Sequence, residues 1–270
     1  MNGIDLSPER RESPRPRSVP VWISHRGVRS TGQGENTAGA FACAMAKKFQ
    51  WLETDLRMTK DSHIVLSHDE NLDRALGRLS SPESSSTELK NLSRREILEM
   101  TLPCGGKTLF LDEFLKQFYD VNWVFDVKPP TAQDCLKKLR IMIDQMPNPK
   151  EVEGKITFLL WSSGDETVAR DLFRSAQFFA RPSECWRAGL LSWFGLGFLG
   201  GIKAGRAYSL TATLGIFSFI SLFNRRIFNE YQSRGAKIIL YLTDSREELV
   251  KGVEAGADFI LSDELNLSSP

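Results

Sequence analysis

Cysteine is scarce in this sequence, and none of it stands in a Cys-x-x-Cys spacing. The 270 residues contain four cysteines, Cys43, Cys104, Cys135 and Cys185. So few dispersed cysteines in a chain of this length argue against a disulfide framework. Cys43 and Cys135 fall in helix-like segments, where we expect them to serve as small buried apolar residues.

An excess of charge is also missing. Lysine and arginine number 35 against 34 aspartates and glutamates, which gives a formal net charge of +1. Because no basic excess is present, the sequence predicts no nucleic-acid partner, and any anion must be recognised locally. Hydrophobic residues make up 41% of the chain and charged residues 26%, as is typical of a soluble globular protein.

No apolar run near the amino terminus is long enough for a secretory signal. Residues 1–18 hold four arginines among proline and serine, and we expect a disordered basic tail there. The five-residue apolar run that follows, 19–23, is interrupted by Pro20 and is shorter than a signal sequence requires. We therefore expect a cytoplasmic protein with this tail and a single domain over 19–270, and the sequence leaves the oligomeric state open.

The most apolar part of the chain is 189–223. Residues 207–224 contain no charged side chain across eighteen positions, close to the minimum length for a membrane span. Three serines, two threonines, a glycine and an asparagine interrupt this stretch. The sequence favours burial in the core, with peripheral membrane contact through 189–223 as the alternative and a true span as the least favoured interpretation.

Short apolar runs alternate with helix-like segments along the chain. The predicted strands are 20–26, 51–58, 122–128, 155–161, 178–182, 207–212, 237–243 and 257–263, and 64–68 forms a β-hairpin with the second of them. The predicted helices are 38–48, 94–100, 111–118, 131–146, 165–177, 225–235 and 246–255. Eight strands alternating with helices predict an α/β fold, a closed (β/α)8 TIM barrel with a hairpin after strand 2. Its chemistry should lie at the carboxyl ends of the strands.

Acidic residues recur at two predicted strand ends. Glu53 and Asp55 are two positions apart on the second strand, so both side chains point to the same face. Asp126 and Lys128 share a face of the next barrel strand in the same way. Three carboxylates on two strands form a hard oxygen site, and the sequence predicts one divalent cation there, Mg²⁺ or Ca²⁺.

Cations and histidines accompany these acids. Arg26 and Lys128 stand at the same rim, where they would bind a phosphate whose oxygens also ligate the metal. His25 and His68 supply the side chain whose pKa lies nearest neutrality, and we predict that they act as the acid and base. The third histidine, His63, lies beside the hairpin turn and is expected to be exposed.

Taken in order, these residues resemble the glycerophosphodiester phosphodiesterase family, part of the PLC-like phosphodiesterase superfamily. The resemblance extends over about residues 20–265. The matching motifs are His25-Arg26-Gly27, Glu35-Asn36-Thr37, Glu53-x-Asp55, His68-Asp69, Leu111-Asp112-Glu113-Phe114 and the ending Gly256-Ala257-Asp258-Phe259-Ile260-x-x-Asp263. The succession of motifs is far more specific than any one of them.

The resemblance implies a metal-dependent barrel that cleaves glycerophosphodiesters into glycerol 3-phosphate and an alcohol. It implies that a neighbouring glycerol hydroxyl attacks phosphorus and that water then opens a cyclic phosphate. Carried over by position, the metal ligands are Glu53, Asp55 and Asp126, the acid and base are His25 and His68, and the phosphate binders are Arg26 and Lys128.

Three further residues complete the predicted substrate site: Glu35, Trp161 and Tyr241. For Trp161 and Tyr241 the alternative is a role as core aromatics. Arg26 could instead form an ion pair with Glu35.

Three departures from the family pattern leave other substrates open. Asp126 stands where the family usually has Glu, which resembles the related sphingomyelinase D branch. Tyr241 stands where a Trp usually lines the glycerol pocket. Segment 189–201, expected to be a loop near the site, is apolar enough to accept acyl chains or touch a bilayer. One alternative function is therefore phospholipase D-like cleavage of lysophospholipids or sphingolipids at a membrane, and a second is a non-catalytic phosphate-binding barrel.

Overall fold

Eight parallel strands form a barrel, as the sequence predicts. The computed structural model describes residues 19–28, 32–78, 87–211, 213–214, 217–243 and 245–263. In chain order the strands are β1 (Val21–His25), β2 (Trp51–Met58), β3 (Ile64–Leu66), β4 (Asn122–Val127), β5 (Ile156–Leu159), β6 (Gln177–Phe178), β7 (Ala207–Leu210), β8 (Thr213–Leu214), β9 (Phe217–Ser221), β10 (Lys237–Tyr241) and β11 (Phe259–Ser262). The predicted disordered tail, 1–18, lies outside the described residues.

The strand order shows how the barrel closes. The sheet runs β6-β5-β4-β2-β1-β11-β10-β7, and β3 pairs antiparallel with β2 as the predicted hairpin. The seam between β6 and β7 is closed by a single bridge between Phe179 and Ala207, where the Ala180 N–H donates to the Ala207 carbonyl over 2.8 Å. The barrel is thus nearly closed, with its weakest pairing at this seam.

Nine helices connect these strands in the described part of the chain. They are α1 (Ala38–Ala46), α2 (Arg94–Glu99), α3 (Leu111–Gln117), α4 (Ala132–Asp144), α5 (Pro149–Gly154), α6 (Ser163–Leu172), α7 (Pro182–Trp193), α8 (Arg225–Ser233) and α9 (Arg246–Ala255). Side-chain caps start several of them. Thr37 accepts the Ala40 N–H at 3.2 Å, and Ser93 forms a capping box with Glu96.

The segment 189–201 differs from the prediction. We expected an apolar loop near the site, but α7 extends over 182–193 and 197–199 form a short 3-10 turn. Pro182 at the first turn and Glu184 in a capping arrangement start this helix. Because α7 leads into the amino end of β7, segment 194–206 enters the end of the barrel opposite the carboxyl ends of the strands.

The apolar stretch 207–224 is also only partly as predicted. It contains β7 and then β8 and β9, which pair antiparallel as a separate small sheet, where we expected one strand and a loop. Leu222 and Phe223, near the end of the stretch, are buried. No helix among the described residues is long and apolar enough to cross a bilayer.

The barrel interior is layered along the strand direction. Apolar side chains fill its centre: Ile23, Val124, Ala207, Ile239, Phe259 and Leu261. Because side chains alternate on a strand, the residue two positions further along again faces the interior. The next inward layer toward the carboxyl ends is polar: His25, Asp126, Tyr241 and Asp263 follow the apolar residues of β1, β4, β10 and β11. The apolar layer therefore forms the floor of a polar cavity.

A buried ion network lies beside the seam. The Arg206 guanidinium lies 3.0 Å from the Glu166 carboxylate and 3.1 Å from that of Glu184, and it donates to the Phe179 carbonyl at 2.9 Å. Burial opposes ionisation of Glu184, but hydrogen bonds from Arg181 and the charge of Arg206 outweigh it and lower its pKa to about 2. The network therefore joins α6, α7 and the start of β7 where backbone pairing is sparse.

We expect Arg206→Ala to lower the free energy of unfolding by about 3 kcal/mol, because it removes a buried partner of two carboxylates. Arg170→Ala removes a half-exposed cation from the same Glu166 and should lower it by less than about 1 kcal/mol. Urea unfolding followed by circular dichroism measures both values. Equal effects of the two substitutions would show that the buried network does not stabilise the seam.

Candidate active site

Three carboxylates converge in the polar layer of the barrel. Glu53 and Asp55 extend inward from β2 and Asp126 from the adjacent β4, with Asp55 and Asp126 in register across the two strands. One oxygen from each of the three lies within 4.8 Å of the others, and all three residues are buried. The convergence predicted from the alternation of residues on two strands is present.

Two cations are interleaved with the acids. Arg26 Nε lies 2.9 Å from Asp55 Oδ2, and Lys128 Nζ lies 3.1 Å from Asp55 Oδ1 and 2.6 Å from Asp126 Oδ2. Asp55, the central acid, therefore contacts both cations. Lys128 is itself 5% exposed, so its charge acts in a region from which water is largely excluded.

Burial and the neighbouring charges shift the pKa values of the three acids in different directions. Burial, followed by the charges of Asp55 and Asp126, raises the pKa of Glu53 well above its ordinary value. Burial opposes ionisation of Asp55 too, but Lys128 and Arg26 outweigh it and lower its pKa. Burial raises the pKa of Asp126 despite the adjacent Lys128. The cluster thus holds more acid than its two cations neutralise, which favours a further positive charge.

The backbone around Arg26 is shaped by close contact with α1. Arg26 adopts a left-handed conformation with φ 56°, and its N–H lies 3.1 Å from the Glu53 carbonyl. Gly27 follows with φ 83°, and a Cβ there would lie 2.6 Å from the Cβ of Ala40. Only glycine fits this position, so the His25-Arg26-Gly27 motif turns the guanidinium toward the acids.

Asn36 supports the central acid, a role not predicted beyond its place in the motif. Its Nδ2 donates to Asp55 Oδ2 at 3.1 Å, and its Oδ1 accepts from the Thr54 hydroxyl at 2.7 Å. Asn36 also has φ 54°, and its N–H donates to the Arg26 carbonyl at 2.9 Å. The amide therefore fixes one carboxylate oxygen of Asp55. Its place in the Glu35-Asn36-Thr37 motif was the signal available in the sequence.

His25 lies between two carboxylates. Its Nδ1 hydrogen-bonds Asp263 at the end of β11, and its Nε2 lies 3.9 Å from Glu53 Oε2. A carboxylate only accepts hydrogen bonds, so Asp263 favours the tautomer with the proton on Nδ1. Nε2 is then the ring nitrogen available at the acid cluster. Asp263 belongs to the last matching stretch of sequence, but no role was predicted for it.

His68, like His25, is held by an aspartate at its Nδ1. Its Nδ1 lies 2.7 Å from Asp69 Oδ1, and Arg57 Nε donates to its backbone carbonyl at 2.9 Å. The preceding Ser67 N–H donates to the Asp55 carbonyl at 3.1 Å, so the strand pairing brings His68 next to the cluster. His68 is more exposed than His25, with 38% of its side chain accessible.

A chain of ion pairs links His68 to Arg26. Arg74 Nε contacts Asp69 Oδ2 and its Nη2 contacts Glu35 Oε1, both at 2.5 Å. Glu35 Oε1 in turn lies 3.5 Å from Arg26 Nη1, which is the ion pair given above as an alternative for Arg26. Arg26 therefore contacts both Glu35 and Asp55. Arg74 was not singled out from the sequence, since nothing in its local pattern distinguishes it.

The two aromatic candidates differ in position. Trp161 is 45% exposed, its Nε1–H donates to Asp126 Oδ1 at 2.7 Å, and Lys128 Nζ lies 4.9 Å from its ring centroid. Tyr241 is partly buried, with its ring centroid 6.4 Å from that of His25. Trp161 is therefore at the edge of the cavity and contacts two of its charged groups, and Tyr241 stands beside the imidazole.

The donor set fits a hard divalent cation. Among the described residues, the group of possible ligands consists of three carboxylates, which is the ligand chemistry of Mg²⁺ and Ca²⁺. Asp55 Oδ1 is buried and lies 3.1 Å from Lys128 Nζ. Three buried acids beside two cations leave an excess of negative charge that a metal ion would neutralise.

Comparison with known proteins gives a consistent result. The model of the glycerophosphoryl diester phosphodiesterase family matches residues 25–267. A glycerophosphodiester phosphodiesterase from Caldanaerobacter subterraneus is 23% identical over 244 residues, which are 90% of this chain and 93% of the relative. The human lysophospholipase D GDPD1 is 50% identical over 56 residues, 20% of this chain and 17% of its own length. A relative from Mycobacterium tuberculosis is 29% identical over 112 residues, and the match covers 40% of its length.

Solved structures share the fold at low sequence identity. A glycerophosphodiester phosphodiesterase from Agrobacterium tumefaciens superposes with a TM-score of 0.67 at 16% identity, covering 92% of this chain and 98% of that one. A phosphodiesterase from Oleispira antarctica, solved with sn-glycerol 3-phosphate as its product, superposes with a TM-score of 0.64 at 18% identity. This alignment covers 90% of this chain and 93% of that one. The barrel expected from the sequence is thus the fold of these enzymes.

We expect Mg²⁺ or Ca²⁺ to stabilise the protein through the acid cluster. A ligand at a hundred times its dissociation constant adds about 2.7 kcal/mol, or roughly 5–10 °C in Tm for a domain of this size. Glu53→Gln removes one carboxylate ligand while keeping the shape of the side chain, so the variant should fold but lose this shift. Thermal denaturation with and without each cation measures it.

Glu151→Gln is the matched control, because Glu151 is an exposed acid on α5. It should keep the full metal-dependent shift. An equal rise in Tm for Glu53→Gln and the wild type would mean that the cation binds elsewhere.

Proposed function

The chain belongs to the glycerophosphoryl diester phosphodiesterase family, and on that premise we propose that it hydrolyses glycerophosphodiesters to glycerol 3-phosphate and an alcohol. The observation that carries the proposal is the meeting of the acid cluster, two cations and two carboxylate-bound imidazoles in one cavity. The product bound to the Oleispira phosphodiesterase supports the choice of glycerol 3-phosphate.

Each group has a chemical role in this proposal. Arg26 and Lys128 neutralise and orient the phosphate, because a guanidinium and an ammonium stand together at the cavity. His25 and His68 transfer protons through Nε2, since the Nδ1 of each ring is held by an aspartate. One imidazole accepts a proton from the attacking glycerol hydroxyl as its oxygen bonds to phosphorus, and the other donates one to the oxygen of the departing alcohol as that phosphorus–oxygen bond breaks. Water then opens the cyclic phosphate, with the roles of the two imidazoles reversed, to give glycerol 3-phosphate.

The remaining residues position these groups. Glu53, Asp55 and Asp126 would hold one Mg²⁺ or Ca²⁺, which when bound polarises the phosphoryl oxygens and offsets the charge that develops on them. Trp161 fixes one oxygen of Asp126, and Glu35 holds the guanidinium of Arg26. Trp161 and Tyr241 line the side of the cavity on which we place the glycerol moiety.

One specific observation favours a second function. The highest identity among these matches, 50% over 56 residues, is to a human lysophospholipase D. Asp126, in place of the usual Glu, was the sequence signal for cleavage of lysophospholipids or sphingolipids. The second candidate is therefore release of the head group from a lysophospholipid by the same acids and histidines.

We expect His25→Ala and His68→Ala each to lower kcat by about 10²–10⁴-fold, the range typical of a lost acid or base. His63→Ala is the matched control. His63 pairs with Asp61 at the hairpin turn, so its loss should leave kcat unchanged. Release of glycerol 3-phosphate from glycerophosphocholine measures all three, and wild-type turnover by His25→Ala would refute the assigned role.

A panel of substrates separates the two functions. We expect turnover of glycerophosphocholine and glycerophosphoethanolamine, abolished by EDTA and restored by Mg²⁺ or Ca²⁺, because the acid cluster needs a cation. Cleavage of lysophosphatidylcholine alone would instead support the second candidate. Binding of glycerol 3-phosphate without turnover of any diester would point to a non-catalytic barrel.

A further inference from the structure

An apolar surface lies in the connection between α7 and β7. Four large side chains are exposed within six residues of the 194–199 loop: Phe194 (61%), Leu196 (41%), Phe198 (65%) and Leu199 (59%). Isolated exposed apolar residues are ordinary, but a cluster of this kind marks an interaction surface. From this cluster and the charges around it, we propose that the 194–199 loop docks the protein on an anionic lipid bilayer.

Hydrogen bonds hold the backbone of the loop in a conformation in which its four large apolar side chains are exposed. The Leu196 N–H donates to the Leu191 carbonyl at 2.7 Å, and the Leu199 N–H donates to the Leu196 carbonyl at 2.9 Å. Arg187 Nε holds the Gly200 carbonyl at 3.1 Å. A Cβ on Gly200 would lie 3.1 Å from the Cα of Ala188, so glycine lets the loop lie directly against α7.

The sequence from 185 to 229 carries charge of one sign. No aspartate or glutamate occurs at any of the 45 positions from 185 to 229, although the chain has 34 of them. Five cations lie in this window: Arg187, Lys203, Arg206, Arg225 and Arg226. The window therefore carries +5 and the rest of the chain −4, since together they give the net charge of +1.

Most of these cations are exposed, and two of them contact the segment 195–201. Arg206 is buried in the seam network, whereas Arg187, Lys203, Arg225 and Arg226 are exposed. Lys203 Nζ lies 3.5 Å from Glu184. The guanidinium of Arg226 lies against Gly195, and that of Arg187 lies against Gly201. Glu230 is the acid that borders the loop, at Gly197, and it is paired with Arg234 at 3.4 Å. Anionic lipid complements this surface, because apolar side chains enter the interface while arginine and lysine contact the head groups.

The position of the loop separates docking from catalysis. Segment 194–206 leads into the amino end of β7, whereas the acids and histidines occupy the carboxyl ends of the strands. The proposal therefore does not rest on the proposed function. A loss of membrane binding should leave hydrolysis of a soluble diester unchanged, so the failure of one can be told from the failure of the other.

Co-sedimentation of the purified full chain with vesicles tests the proposal. Binding to vesicles of phosphatidylcholine with phosphatidylserine should exceed binding to phosphatidylcholine alone and should fall as salt is added. The triple variant Phe194→Gln, Phe198→Gln, Leu199→Gln should bind at least about tenfold more weakly. Arg225→Gln with Arg226→Gln should weaken binding by roughly tenfold.

The matched controls replace exposed residues of the same types on other surfaces of the protein. Ile141→Gln with Val250→Gln replaces apolar residues that are 55% and 44% exposed on α4 and α9. Lys116→Gln with Lys137→Gln removes two exposed cations. Both pairs should bind vesicles like the wild type.

Three results would overturn the proposal. The first is a wild-type chain that sediments with no vesicle, and the second is an equal loss of binding in the controls. The third is a lipid-free dimer that the triple variant abolishes, because the loop would then bind a second copy of the chain.

Discussion

The pairing of buried acids with buried cations is the constraint on which the site depends. Glu53, Asp55 and Asp126 lie where water is largely excluded, and a buried carboxylate without a partner is strongly disfavoured. Arg26 and Lys128 make the arrangement possible by contacting Asp55 from both sides. The remaining excess of acid would favour a hard cation at this cluster. The same feature thus explains its electrostatics and its proposed chemistry.

The barrel accommodates these buried charges because its interior is divided into an apolar layer and a polar layer. An apolar layer fills the centre, and the next inward residue of each contributing strand is polar. The layer below provides packing energy, while the layer above has only to satisfy its own hydrogen bonds and charges. The left-handed turn at Arg26 and Gly27 then closes the cavity from the side, because the backbone of α1 leaves no room for a larger residue.

The ion network at the seam and the 194–199 loop lie in other parts of the same barrel. The seam between β6 and β7 has little backbone pairing, and the ion network around Arg206 stands beside it. The apolar 194–199 loop lies in the connection that enters the amino end of β7. A barrel can vary at this end without disturbing residues at the carboxyl ends of its strands. This separation makes a docking surface compatible with an unchanged catalytic cavity.

The sequence by itself determined the strands, the shared face of Glu53 and Asp55, the shared face of Asp126 and Lys128, and the order of motifs that identifies the family. These features follow from the two-residue alternation of a strand and from short spacings, which are local. Only the tertiary structure decided that Asp263 holds His25 across 238 positions of sequence, that Asn36 fixes Asp55, and that Trp161 binds Asp126. It also decided that the apolar segment 189–201 belongs to a helix and a loop away from the site. Such contacts depend on which strands become neighbours when the barrel closes, and no local spacing records that.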